Sequence, residues 1–209
     1  MKRIIKRILP IALVLVILTG CLFGCSCNNE TETPKGMKLA SNSNLYKLYV
    51  PESWQVNQST PSVVSVQASD TDIANASVMF WQVSDTCTDH DSFLAEYKTQ
   101  LQQAFTDVQF KESGTKSVVG ENYATTDTNG NKTSPYNGRD YVYTAKIGGN
   151  YYKYHVTVVL ESGVFFVITF TFPQDNYGTN YDKIEDVGFK SYTNHESNVD
   201  QILKVFKLG

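Results

Sequence analysis

Cysteine and histidine are scarce in this chain, and each scarcity excludes something. Four cysteines in 209 residues do not make a disulfide scaffold, because such domains are short and dense in cysteine. Three of the four, Cys21, Cys25 and Cys27, crowd into seven positions, which leaves Cys87 alone in the rest. The three histidines, His90, His155 and His195, fall in separate elements of the expected fold. No phosphate-binding glycine loop, Gly-x-Ser-x-Gly or His-Glu-x-x-His occurs, so the nucleotide, serine-hydrolase and zinc-protease signatures are missing. Positive charge is thin as well. Beyond the first 20 residues, 14 Lys and Arg stand against 21 Asp and Glu, a net charge of −7. A body that acidic is a poor candidate for nucleic acid or for an anionic lipid surface.

What is present begins at the N-terminus. "MKRIIKR" is a basic segment and "ILPIALVLVIL" an apolar one, the layout of a secretory signal. The cysteines follow directly, with "LTGC" ending at Cys21 and "LFGC" at Cys25. A Cys-x-x-x-Cys-x-Cys metal site would need a fourth ligand and a fold to hold it. An uncleaved anchor is the other alternative, since Ile8 to Cys25 is 18 residues with few polar groups, near the lower limit for a span. Pro10, Gly20 and Gly24 weaken it. "LTGC" resembles the bacterial lipobox. That resemblance implies a diacylglycerol on Cys21 (alternatively Cys25), cleavage just before it, and residence on the extracytoplasmic face of the cell membrane. Two or three acyl chains hold a protein stably where one does not.

The domain plan that follows is a signal over 1–20, a lipidated cysteine and polar tether over 21–44, and a globular domain over 45–209. "NNETETPKGMKLASNSN" has no apolar periodicity and reads as tether. "LYKLYV", "SVVSVQAS" and "ASVMFWQVS" predict the first strands. In the last of these both faces are apolar, as in a strand covered on both sides. "DHDSFLAEYKTQLQQAF" places Phe93, Leu94, Tyr97, Leu101, Ala104 and Phe105 at helical spacing, with Thr88 and Asp91 spaced as a capping box. "VQFKESGTKSVV", "ENYATTDT", "RDYVYTAKI", "YYKYHVTVVL" and "VFFVITFTF" predict further strands, joined by turns at Asn129-Gly130, Asn137-Gly138, Gly148-Gly149-Asn150 and Ser162-Gly163. A short helical stretch follows around Tyr181, Ile184 and Val187. A last helix carries Val199, Ile202, Leu203 and Phe206, with Ser197 and Asp200 spaced as its capping box. Strands in hairpin order with segregated helices mean α+β, not a parallel doubly wound sheet.

That order, with "YKLYVPESWQV", the helix "FLAEYKTQLQQAF", the hairpin "YYKYHVTVVLESGVFFVITFTFP" and a terminal helix ending in an aromatic, resembles the PsbP-like proteins (Mog/PsbP/DcrB type). The resemblance runs from about Leu45 to Leu208. It implies an α/β/α sandwich, with a central, mostly antiparallel sheet of six or seven strands and helices on both faces. It implies binding and assembly roles with no shared catalytic motif and no cofactor. The expected partners are the membrane, through the N-terminal lipid, and an envelope protein; nucleic acid is not expected. A small-ligand module with a pocket between sheet and helix is the alternative.

The residues themselves offer few reactive groupings. His155 falls on the face of "YYKYHVTVVL" shared by Lys153 and Thr157, where an exposed or surface-paired imidazole is expected. "TCTDHD" brings Cys87 and His90 close in sequence, but a nucleophile pair must converge in space with an orienting partner. "DTNGNKTSPYNGRD" lacks the glycine and glutamate positions of an EF-hand and reads as a hairpin loop. Trp54, Trp81, Tyr141 and Tyr151 are the candidate binding surface, with Tyr143, Tyr152 and Tyr154 beside them. Strand alternation buries about half of such a set.

Overall fold

The computed structural model describes residues 33–41, 43–60, 63–68, 74–133 and 135–209. The signal segment, Cys21, Cys25 and the turn at Asp70 and Asp72 lie outside the described residues. Four short strands come first: β1 (Met37–Leu39), β2 (Tyr46–Lys47), β3 (Tyr49–Pro51) and β4 (Gln55–Ser59). Then follow β5 (Val64–Gln67), β6 (Asn75–Gln82), α1 (His90–Ala104) and β7 (Thr106–Val119). A 3-10 turn (Glu121–Tyr123) leads to β8 (Thr125–Thr126) and β9 (Lys132–Thr133). Three long strands, β10 (Tyr136–Ile147), β11 (Asn150–Glu161) and β12 (Val164–Pro173), precede a second 3-10 turn (Ile184–Asp186), α2 (Lys190–Val205) and β13 (Lys207–Leu208).

Seven strands form one sheet in the order β4-β5-β6-β12-β11-β10-β7, and every pairing in it is antiparallel. The expected α+β class holds. β6 lies third in the sheet and β7 at the far edge, so α1, which joins them, has to cross the strands between. Its Phe93 and Leu101 pack with Tyr141, Tyr143, Tyr154, Val156, Val158, Phe165 and Val167. A second cluster gathers α2's Val199, Ile202 and Leu203 with Val64, Val78, Phe166, Ile168, Phe170 and Phe172. Successive residues of β12 therefore feed different clusters, as the alternation of a strand requires. Its double apolar pattern is explained by its central place. β6 is less completely covered than its sequence predicts. Ala76 and Val78 are buried and Trp81 meets Phe93 edge-on at 5.4 Å, but Met79 is 39% exposed.

Several boundaries differ from expectation. β1 pairs with β3, and Met37 and Ala40 are buried, so the folded body starts well before Leu45 and takes in part of the expected tether. β4, too polar to announce itself, is an edge strand. "ENYATTDT" forms a 3-10 turn and the two-residue β8 because Gly120, at φ +72°, ends β7. The N-cap of α1 is Asp89, whose carboxylate accepts from Ser92 N at 2.8 Å while Ser92 Oγ accepts from Asp89 N at 3.0 Å. The Thr88/Asp91 reading was one residue out of phase, and burial of Phe93 and Leu101 sets the phase. α2 begins at Lys190, seven residues before Ser197. Its first turn is satisfied from outside, with Lys190 N donating to Asp175 Oδ1 at 2.8 Å, a cap no local spacing reveals. The loop between β8 and β9 is the expected hairpin, with Asn129 N and Asn131 N both donating to Asp127 at 2.8 Å.

Candidate functional site

β7, β10 and β11 present a run of polar side chains beneath the C-terminal half of α2, where strand interiors are otherwise apolar. There the sheet and helix leave an open cleft of about 390 Å³. Lys116 and Ser117 come from β7, Asp140 from β10 and His155 from β11; Asp200, Leu203 and Lys204 come from α2. Two glycines shape it. Gly120 donates its N–H to Leu203 O at 2.8 Å, and a Cβ there would stand 2.9 Å from the Tyr136 ring. Gly138 leaves room in β10 for side chains of the two flanking strands, since a Cβ would meet Val119 at 2.9 Å and Thr157 at 3.2 Å.

The floor is a small polar cluster. Thr157, fully buried, donates its hydroxyl to Asp140 Oδ1 at 2.6 Å. His155 Nε2 stands 3.5 Å from the same oxygen, with the imidazole 16% and the carboxylate 18% exposed. That nitrogen is buried and has no hydrogen-bond partner, and the ring meets Phe170 edge-on at 6.1 Å. At the rim Lys204 and Glu121 pair at 3.5 Å, half exposed. The cleft thus offers an oriented carboxylate with an imidazole beside it, and charges of both signs. It suits recognition of a polar, charged group. Among the described residues no set of three or more His, Cys, Asp or Glu is placed to hold a metal ion.

The strand face carrying Lys153, His155 and Thr157 is thus not a solvent face, as expected, but lies under α2. Lys153 Nζ sits 3.4 Å above the Tyr192 ring. Alternation assigned the three residues to one face correctly; the missing knowledge was that α2 begins early enough to cover them. Asp140 and Lys204 carry no motif in the sequence, and Asp200, spaced there as a capping residue, lines the cleft instead. The one signal for the strand part of the cluster was polar residues, Asp140 in β10 and His155 and Thr157 two apart in β11, inside otherwise apolar strands.

The expected aromatic surface does not assemble. Trp54 is 2% exposed, Tyr141 1% and Tyr151 1%, so none of the three presents a ring to a partner. Trp54 packs edge-on against His195 at 5.7 Å. Tyr141 lies beside Phe93 in the α1 cluster. The Tyr151 hydroxyl donates to Asp107, and Lys146 Nζ lies 4.9 Å from its ring centroid. Trp81 is half-buried against Phe93. These bulky apolar bodies were drawn into the core by the area they bury. Among the described residues the large aromatic most open to solvent is Tyr177, 49% exposed, its hydroxyl 3.1 Å from that of Tyr152.

Cys87 is buried. Burial, then the nearby Glu96 and Asp89 carboxylates, push its thiol up, and Glu96 also hydrogen-bonds it. That is the opposite of an activated thiolate. Burial, and after it the Arg139 charge, hold His90 below the usual imidazole range.

No protein-family model matches the chain, and no curated protein matches it in sequence. Its likenesses are to solved structures. The Ran-binding protein Mog1p of Saccharomyces cerevisiae is 9% identical, with 82% of this chain covering 95% of that one at a TM-score of 0.50. LpqN of Mycobacterium tuberculosis, described as involved in cell envelope biogenesis, is 11% identical over 82% of this chain and 90% of its own, at 0.48. A Bacteroides thetaiotaomicron protein is 10% identical over 79% of this chain, at 0.44, and this chain spans 45% of its length. The chain is an antiparallel α+β protein similar in fold to Mog1p.

Proposed function

We propose that this chain is a lipoprotein of the extracytoplasmic face of a bacterial membrane, lipidated at Cys21, with Cys25 as the alternative. Its body is a non-catalytic α/β/α sandwich that binds another envelope protein through the cleft beneath α2. The anchoring half rests on "LTGC" at the end of an apolar run behind four positive charges. The binding half rests on one observation, the Asp140, His155 and Thr157 cluster at the floor of an open, charged cleft. Small-ligand sites are typically enclosed and mostly apolar; an open cleft with charges of both signs favours a charged segment of a protein. The fold is compatible with such work, since Mog1p is itself a Ran-binding protein.

Cells fed labelled palmitate are expected to label the wild type and to lose most of the label in Cys21→Ala; label lost only in Cys25→Ala moves the site. A photoreactive residue at Val118, 58% exposed and lining the cleft, is expected to crosslink one envelope protein, with the adduct lost in Asp140→Asn. Failure to crosslink, together with a small molecule carried in native mass spectra, would replace the partner protein by a small ligand in the same cleft.

A further inference from the structure

The acidity of the body is not evenly spread. Residues 35–52 and 206–209 hold four lysines, Lys35, Lys38, Lys47 and Lys207, and a single acid, Glu52. The fold brings them to one end of the molecule. β13 pairs with β2 so that Lys207 and Lys47 are directly opposed, and the next pair is Leu208 with Tyr46. Tyr46 is fully buried and Leu208 packs on the same core, so alternation turns the two lysines outward. β1 and its neighbours continue the surface: Ala40 N donates to Leu48 O at 2.8 Å and Glu52 N to Gly36 O at 3.1 Å, which ties Lys35 and Lys38 to the segment that carries Lys47. Like charges directly opposed destabilise a strand pair. Lys207 Nζ lies 5.4 Å from the Tyr123 ring centroid.

Two exposed leucines share this end, Leu39 at 48% and Leu45 at 47%. Single exposed leucines are ordinary. Leucines set among lysines are the composition of a surface that rests in the headgroup region of a bilayer. The position in the chain adds a third argument. The described body starts at Thr33, two residues before Lys35. If Cys21 carries the lipid, the intervening segment spans at most about 40 Å even when fully extended. A tether that short keeps this end at high effective concentration near the headgroups.

From these observations we propose that the end built from β1, β2 and β13 docks on an anionic phospholipid surface. Lys35, Lys38, Lys47 and Lys207 meet the headgroup phosphates, while Leu39 and Leu45 enter the interface. The acidic remainder of the body is repelled by the same surface. This deepens the proposed function and rests on its lipid anchor. It also reverses, for one end of the molecule, the exclusion drawn from net charge.

The test is amine-reactive footprinting of the lipidated full-length protein in two kinds of vesicle, phosphatidylcholine alone and phosphatidylcholine mixed with phosphatidylglycerol. Each lysine near an anionic surface contributes roughly a five-fold change in partitioning. Acylation at the four lysines is expected to slow several-fold in the anionic vesicles, with Lys98 and Lys183 unchanged, and to recover in high salt. In the double variant Lys47→Glu with Lys207→Glu, which keeps a like-charged pair in the strands, protection at Lys35 and Lys38 is expected to be lost. Equal rates on the two vesicles would overturn the proposal, as would protection that appears only when an envelope extract is added, which assigns the surface to an acidic protein. The intact mass of the N-terminal peptide in the same sample reports lipid on Cys21. An unlipidated cysteine there defeats the anchor by itself, whatever the lysines show.

Discussion

In β11 the Thr157 hydroxyl donates to Asp140 at 2.6 Å from a fully buried position. The bond fixes which carboxylate oxygen is committed, with the His155 imidazole 3.5 Å from that same oxygen. Thr157→Val keeps the shape and deletes the donor. The expected loss is about 1–3 kcal/mol in chemical denaturation, the cost of a polar partner left unsatisfied. The same change in an Asp140→Asn background should cost less, because the two residues share one interaction. Equal costs in both backgrounds would remove Thr157 from the cluster. At this scale sequence reading was weakest. The types of Trp54, Tyr141 and Tyr151 suit a binding surface, yet the same large rings are what a core takes first. Side-chain chemistry alone does not separate the two uses.

The helices divide the credit differently. α1 announces itself by apolar spacing and carries its own cap, Asp89 with Ser92. α2 has no side-chain cap of its own, and its first N–H is taken up by Asp175 from the loop after β12. Ser197, which local spacing offers as a cap, is an exposed residue in the middle of α2. Two serines therefore give opposite results. Ser92→Ala is expected to destabilise by roughly 1 kcal/mol through lost hydrogen bonds. Ser197→Ala is expected to be neutral or slightly stabilising, since alanine is the better helix former. Thermal or urea unfolding of the two variants checks the pair, and a loss for Ser197→Ala equal to that for Ser92→Ala would restore it as a cap. The long strands β10, β11 and β12 were legible because one face or both must be buried, which imposes the two-residue period. β4 was not, because an exposed edge strand has no such constraint.

Across the whole molecule, tyrosine burial sets an upper pH limit. Burial pushes Tyr46, Tyr97, Tyr141 and Tyr151 up to about 12 from the ordinary value of 10.0; in Tyr151 the hydrogen bond to Asp107 adds to it. Between those values the folded chain retains phenolic protons that the unfolded chain has released. Their contribution is thus fully present below about pH 10 and is lost as pH rises through about 12. An alkaline titration should show a late fraction of the tyrosinate absorbance rising together with the loss of far-ultraviolet circular dichroism, in one cooperative step. Full tyrosinate absorbance reached before the dichroism falls would show that these hydroxyls are open to solvent. The tyrosines come from α1, β2, β10 and β11, so the limit belongs to the assembled fold and to no single element.

By itself the amino-acid order determined the α+β class, the long hairpins, α1 and the separation of an apolar, cysteine-bearing N-terminus from an acidic body. Each of these follows from interactions between near neighbours, through strand alternation, helical spacing or turn chemistry. Only the tertiary structure decided that β1 belongs to the body, that α2 starts at Lys190, and that Asp140, His155 and Thr157 lie together beneath it. Those depend on contacts between segments far apart in the chain, where burial and the position of a covering helix convert an ordinary polar residue into part of a site.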